Sequence, residues 1–243
     1  MSKKGQVKKI VVEIRSGAGG DEASLFVEDL ARMYKRYAQQ KGWKFKVANY
    51  SANEGGGYKT LVILIKGEDA YGEMRNESGV HRVQRVPETE KSGRVHTSTA
   101  SVAILPVIKP TDVNIKDSDL DISFFRSSGP GGQNVNKVET AVRIKHKPSG
   151  IIVSSQDERS QASNREKAMS TLRAKIYDYK QRKKEEELGT LRKDQVGTAD
   201  RSEKIRTYNY PQNRITDHRI NKKWKQLDRI MEGELGIIMK EFK

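Results

Sequence analysis

The sequence predicts an α+β fold in two parts, and three observations predict it. Runs of period two, such as Leu120, Ile122 and Phe124 alternating with Asp119, Asp121 and Ser123, read as strands with one buried face. Two stretches instead place apolar residues at helical spacing: Phe26, Leu30, Met33, Tyr34 and Tyr37, then Ala168, Leu172, Ile176 and Tyr179. Between them, residues 106–118 carry Pro106, Pro110, Asp112 and Asp117 and lose periodicity, which marks a domain boundary. A chain of 243 residues with 34% hydrophobic and 33% charged residues is polar but long enough for two medium domains.

Residues 8–14 read as a strand, followed by a glycine turn at 15–20. A helix then runs from Asp21 to about Gln40, with Asp21 and Glu22 in its first turn, where acids suit the exposed amides, and Gly42 as its stop. The spacing Gly17-Ala18-Gly19-Gly20 lacks a dinucleotide fingerprint, so this helix start is free to present backbone groups and Glu22 to a base. Trp43, Phe45 and Val47 alternate with lysines as a half-buried strand; residues 53–58 are a turn, 61–65 a short apolar strand, and 67–79 a less regular connection that can hold a short helix. Pro87 and Gly93 bracket a loop tip with the Thr89 hydroxyl at its apex, and a strand returns from Val95 to Leu105. His96 and Thr97 lie at the mouth of that strand on opposite faces. A hydroxyl can pair with a base edge and an imidazole can stack on an unpaired base; the same residues also fit a plain basic hairpin tip, with Glu88 and Glu90 keeping it soluble.

Beyond the boundary, residues 119 to about 158 form two or three strands, with Lys147–Gly150 as a hairpin turn. Asn164 caps a helix whose polar face carries Arg165, Lys167, Arg173, Lys175, Lys180, Arg182, Lys183 and Lys184. These cations suit RNA phosphates, or form a solvated helix face. Residues 189–217 show no period and read as an irregular segment, in which Tyr208 and Tyr210 stack on bases or pin a loop. Ile220, Trp224, Leu227, Ile230, Met231, Leu235, Ile238, Met239 and Phe242 read as one or two amphipathic helices packing on the first domain.

The first two strands of the second part are joined by Arg126-Ser127-Ser128-Gly129-Pro130-Gly131-Gly132-Gln133-Asn134-Val135-Asn136, a polar loop with no large apolar side chain. Gly131 and Gly132 let a partner approach the main chain closely. On spacing alone this is either a Gly-rich surface turn or a backbone built for such an approach. It is not a standard phosphate loop. The chain holds 47 Lys plus Arg against 32 Asp plus Glu, a formal charge of +15, which points to a polyanion and most simply to a nucleic acid. Cysteine is absent, which excludes disulfides and thiol chemistry. His81, His96, His146 and His218 show no metal-ligand spacing, and neither a metal nor a cofactor is expected. No apolar run fits a secretory signal or a membrane span, so a soluble intracellular protein is expected.

Taken together, Gly131-Gly132-Gln133 within its block, "QDERSQASNREKAM", "RSEKIRTYNYPQNRITDHRI", "EIRSGAGGDEASLF" and "SGVHRVQRVPETEKSGRVHTS" resemble the class-1 peptide chain release factors, from about residue 8 onward. The resemblance implies a discontinuous recognition domain, residues 1–110 with 211–243, into which a β-rich/α peptidyl-tRNA hydrolysis domain, residues 111–210, is inserted. It implies that Pro87-Glu88-Thr89 is the Pro-x-Thr tripeptide of factors reading UAA and UAG, with Gly19 and Glu22 at the first base and Thr89 at the first two. His96 stacks on the second base, and Gln84 and Thr97 meet the third. Gly131, Gly132 and Gln133 serve ester hydrolysis, while Arg126 and the helix cations meet ribosomal RNA. The partners implied are the ribosome with its messenger and P-site peptidyl-tRNA, a methyltransferase acting on Gln133, and a recycling GTPase, with the factor itself a cytoplasmic monomer. Such factors carry a helical N-terminal domain ahead of the strand that starts here near residue 8, and the present sequence shows none. Two other functions compete: codon-independent ribosome rescue, and RNA binding without catalysis. The C-terminal "MEGELGIIMKEFK" is no Lys/Arg tail, and Pro87, Thr89 and His96 are retained, which favours termination.

Overall fold

The computed structural model describes residues 8–87, 90, 92–107, 115–126 and 139–242. The chain divides into two compact units, Met1–Ile108 with Leu188–Lys243, and Lys109–Glu187. The sequence reading sets the return to the first part at 211, whereas the contacts set it at 188.

Unit 1 is built on an eight-stranded sheet. Its strands are β1 (Lys9–Ser16), β2 (Lys44–Ala52), β3 (Tyr58–Lys66), β4 (Gly79–Arg85), β5 (His96–Pro106), β9 (Lys204–Asn209), β10 (Arg214–Asp217) and β11 (Lys222–Lys225), ordered β11-β10-β9-β4-β5-β1-β3-β2. All neighbours are antiparallel except β4 and β9. Helix α1 (Asp21–Gln40) lays Phe26, Leu30, Met33, Tyr34 and Tyr37 against alternate residues of the central strands, namely Ile10, Val12 and Ile14, Leu61, Ile63 and Ile65, and Val102 and Ile104. Each of these large side chains contributes about 1.5–3 kcal/mol by leaving water. Gly42, at φ 68°, turns the chain out of the helix, its N–H donating to Gln39 O at 3.0 Å. The connection at 67–79 does hold a short helix, α2 (Ala70–Met74).

In unit 2, β6 (Leu120–Phe125), β7 (Ala141–His146) and β8 (Ile152–Ser155) form an antiparallel sheet in that order. The buried stripe Ala168, Leu172 and Ile176 of helix α3 (Gln161–Val196) packs on Leu120, Val142, Ile144 and Val153. Gly150, at φ 70°, closes the β7–β8 turn.

Several elements differ from the sequence reading. Asn164 does not cap α3: the helix starts three residues earlier and Asn164 is fully buried in its first turn. The helix runs to Val196 because residues 185–196 need no apolar stripe on an exposed helix. The segment read as irregular contains β9 and β10, whose inward residues include Arg206 and Asp217 and so hide the apolar alternation. Trp224 lies on a strand, β11, where it is the one buried residue; helix follows only at α4 (Leu227–Met231) and α5 (Gly236–Met239), whose apolar residues join the unit 1 core. Strand β2 lies at the sheet edge and leaves Val47 and Tyr50 exposed, and Phe124 is 44% exposed rather than buried. Tyr179 likewise faces outward. Among the described residues no helix is long and apolar enough to cross a membrane.

Candidate nucleic-acid interface

Residues far apart in sequence meet at one end of the unit 1 sheet. The β4–β5 ladder pairs Gln84 with Thr97 and Arg85 with His96, so each pair shares a face and the two pairs take opposite faces. Asn209 of β9 donates Nδ2–H to Gln84 Oε1 (3.2 Å), which orients the Gln84 amide beside the Thr97 hydroxyl. The glycine turn before α1 is knitted to β5: Gly17 N donates to Thr99 O (2.8 Å), Thr99 N to Ala18 O (2.8 Å) and Ala18 N to Thr99 Oγ1 (2.9 Å). At Gly19, φ is 136°, and a Cβ there would overlap Ser98 Oγ and lie 2.5 Å from Ser98 Cβ. Only glycine lets the start of α1 lie this close to the neighbour of Thr97.

Glu22, in the first turn of α1, is 4% exposed. Its Oε1 accepts from Arg85 Nε (2.6 Å), and Arg85 Nη1 donates to Asp29 Oδ2 (2.6 Å). The guanidinium lies over the Tyr210 ring at 5.2 Å. Burial opposes the charge on Arg85, but the Glu22 hydrogen bond and the Asp29 charge outweigh it and hold its pKa above the usual arginine value. Glu22 therefore faces Arg85, and its other oxygen, Oε2, is buried with no hydrogen-bond partner among the described residues. Both the burial of this oxygen and the Arg85 contact turn the Glu22 carboxylate inward, so that the groups the helix start exposes are those of its glycine turn.

His96 is exposed and its Nε2 lies 2.6 Å from Glu90 Oε2. Glu90 is tied down in turn by Ser92 N (2.7 Å), and hydrogen bonds from Ser92 lower its pKa. Pro87 is buried and its carbonyl accepts from Glu90 N (3.0 Å). Glu88 and Thr89 lie outside the described residues.

In unit 2, Arg165 and Arg173 line an open cleft of about 630 Å³ with Phe124, Gln161, Glu166 and Met169. Lys175, Lys180, Arg182 and Lys183 are exposed along α3, and Lys184 is half-buried. Lys167 is engaged locally, with Asp157 at 3.1 Å and Glu158 at 3.4 Å, and the Asp157 hydrogen bond raises its pKa. Arg126 is exposed just past the end of β6, and Arg143 lies over the Phe125 ring at 5.1 Å. Gly131, Gly132 and Gln133 lie outside the described residues.

Comparison with known proteins now bears on these two sites. Residues 2–102 match the PCRF domain and residues 109–219 the RF-1 domain. The peptide chain release factor 1 of Thermotoga maritima is 55% identical over 231 residues, covering 95% of this chain and 68% of that protein. The chain belongs to the class-1 peptide chain release factor family. The peptide chain release factor 1 of Aquifex aeolicus is 57% identical over 232 residues, 96% of this chain. The chain spans 64% of the length of that release factor. Among solved structures, RF2 of Thermus thermophilus matches with a TM-score of 0.59 and 38% identity, covering 98% of this chain and 68% of that one. The release-factor match agrees with the α+β architecture. Its PCRF part covers Gly19, Glu22, Gln84, Pro87, His96 and Thr97, and its RF-1 part covers the Gly131-Gly132-Gln133 loop and the cations of α3.

Sequence reasoning missed Arg85, Glu90 and Asn209 as partners of Glu22, His96 and Gln84. A signal existed for Arg85: Glu22 and Asp29, seven residues apart, fall on the same helix face as Phe26, Leu30 and Met33, and two acids on a buried face require a cation.

Proposed function

We propose that this chain is a codon-dependent translation termination factor that recognises UAA and UAG in the ribosomal A site and triggers hydrolysis of the peptidyl-tRNA ester in the peptidyl transferase centre. The observation that carries the reading is the arrangement on β4 and β5, where Gln84 and Thr97 share one face and His96 takes the other. An imidazole between two faces divides one base from the next. On its far side, an amide and a hydroxyl, each able to donate or accept, accommodate adenine or guanine as the third base. Gly19 and Glu22, at the start of α1, meet the first base, and Pro87-Glu88-Thr89 completes the reading of the first two. Unit 1 is on this account the recognition part and unit 2 the hydrolysis part, with Arg126 and the α3 cations holding ribosomal phosphates.

The reaction is attack of water on the ester carbonyl, with the electron pair of the broken bond leaving on the 3′ oxygen of the tRNA ribose. Ribosomal RNA supplies most of the site. Gly131 and Gly132 admit the backbone where a Cβ would obstruct it, and the Gln133 N–H donates to the developing oxyanion or leaving oxygen. The Gln133 amide places water and excludes larger nucleophiles, and its nitrogen is the target of a glutamine methyltransferase. A GTPase recycles the factor, which works as a cytoplasmic monomer. Peptide release measured codon by codon tests the proposal: release on UAA and UAG with little on UGA supports it, and equal release on all three, or on a sense codon, defeats it.

A further inference from the structure

We propose that Gln161 and Asn164 are positioning residues for the hydrolytic loop: one helical turn apart, their amides grip the chain where it returns from residues 127–138. The proposal rests on the reading that Gly131-Gly132-Gln133 serves ester hydrolysis. The last pair of the β6–β7 ladder is Phe125 with Ala141, so Glu139 and Thr140 lie beyond it, on the loop side. Gln161 Nε2 donates to Glu139 O (3.0 Å), and Asn164 Nδ2 donates to Thr140 O (2.9 Å). Two consecutive carbonyls at the base of the loop are thus held by side chains from the first turn of α3.

Asn164 does more than bind one carbonyl. Its Nδ2 also donates to Glu158 O (3.0 Å), while its Oδ1 accepts from Ser155 Oγ (3.0 Å) and Glu158 N (3.1 Å). These partners fix the amide orientation, since the nitrogen faces two carbonyls and the oxygen faces a hydroxyl and an N–H. The side chain is fully buried with every hydrogen-bonding position filled. Its place in the helix is telling. Residues 164, 168, 172 and 176 form one stripe at four-residue spacing, of which Ala168, Leu172 and Ile176 are core. An apolar residue at 164 would continue the core but leave the Thr140 and Glu158 carbonyls and the Glu158 N–H without this partner. Asparagine there ties β8, the 155–158 turn and the loop base to α3. The upstream side of the loop is held by the Phe125–Ala141 pair and by Arg143 over the Phe125 ring. The points where the chain leaves β6 and re-enters β7 are thus both fixed, which matters because a misplacement of roughly 1 Å in a reacting group can cost about a hundredfold in rate.

The test compares Gln161→Glu and Asn164→Asp with the parent chain, and uses Leu172→Ala as a core-only reference. Each is mixed with UAA-programmed ribosomes, and the limiting single-turnover release rate and half-saturating concentration are measured separately. Hydrogen exchange at 139–142 and 168–176 and the thermal midpoint are recorded on the free chain. Gln161 is exposed, so Gln161→Glu leaves the core intact while setting an acceptor against Glu139 O. We expect its limiting rate to fall about tenfold. Asn164→Asp, which keeps the shape but loses both donors, should fall about a hundredfold. Half-saturation should stay unchanged in Asn164→Asp, whereas the carboxylate of Gln161→Glu beside Arg165 and Arg173 should raise it, and exchange should quicken at 139–142 in both. Leu172→Ala should lower the thermal midpoint yet keep the parent rate below it. Folded Gln161→Glu and Asn164→Asp chains releasing peptide at the parent rate would overturn the proposal, as would an equal rate loss in Leu172→Ala. A parent chain that releases no peptide would overturn the termination reading instead, and the positioning role of the two amides with it.

Discussion

Replacing Arg85 with methionine removes the cation that joins Glu22 and Asp29 while keeping most of the side-chain volume. The side chains of Glu22 and Asp29 are 4% and 12% exposed, and both accept from Arg85 at 2.6 Å. Removing one partner of a buried ion pair costs about 3–5 kcal/mol, because the remaining charge stays out of water. Arg85 itself is 19% exposed, and Asp29 keeps a second partner in Arg32 at 2.7 Å, which together place the expected loss at the lower end, about 3 kcal/mol. For a domain of this size the loss corresponds to a fall of about 6–12 °C in thermal midpoint. Adding Glu22→Gln to the Arg85→Met chain replaces the stranded carboxylate by a neutral amide and should recover at least about 1 kcal/mol. Thermal and urea unfolding of the parent, both single variants and the double variant give these numbers. Arg85→Met should also need more factor than the parent to half-saturate release on UAA, since Glu22 no longer has a fixed position. A destabilisation below about 1 kcal/mol in Arg85→Met, or a double variant no more stable than that single variant, would refute the claim that Arg85 holds two buried charges.

The buried His81 gives a pH prediction. Burial, aided by Arg206 and opposed by Glu77, holds its pKa down at about 4 against an ordinary 6.5, and its Nε2 and Nδ1 meet Glu77 O (2.9 Å) and Tyr208 Oη (3.2 Å). Above pH 6.5 neither state is protonated; below it the unfolded chain takes the proton first, so stability falls as pH drops towards 4, by at most about 3 kcal/mol. Urea unfolding at pH 7 and pH 4.5 should show this loss, and His81→Gln should flatten it. A second expectation concerns the α3 cations: Arg165→Ala and Arg173→Ala should weaken ribosome binding alike on every codon, each making the slope of log affinity against log salt shallower by about one. A codon-dependent effect in a salt titration would contradict their role as phosphate contacts.

Elements were legible where apolar side chains carried the period. In α1 and β1 enough of the buried residues are apolar for the four-residue spacing or the alternation to survive in the sequence, although Glu13, Glu22, Ser24 and Asp29 are buried as well. In β9 it does not, because Arg206 points inward and is neutralised by Glu77 and Asp217, at 2.8 and 3.1 Å, from other parts of the chain. A buried charge looks like a surface charge until its partners are placed. Strand β11 has one inward apolar residue, Trp224, too few to separate a period of two from one of 3.6. The interface shows the same divide. Gln84, His96, Thr97 and the loop glycines could be singled out as residue types in blocks. The groups that orient them could not: Arg85 is 63 positions from Glu22, Asn209 is 125 from Gln84, and Gln161 is 22 from Glu139. Those relations exist only once the ladder and the helix start are built.

The most direct measurement is single-turnover peptide release by this chain at saturating concentration on ribosomes carrying UAA, UAG, UGA or a sense codon, with Gln133→Pro run alongside. The account predicts fast release on UAA and UAG, slow release on UGA and none on the sense codon. It also predicts that Gln133→Pro abolishes release while still binding UAA ribosomes, since proline removes the backbone donor and leaves Gln84, His96 and Thr97 of unit 1 untouched. Release that ignores the codon, or a Gln133→Pro chain as fast as the parent, would contradict it.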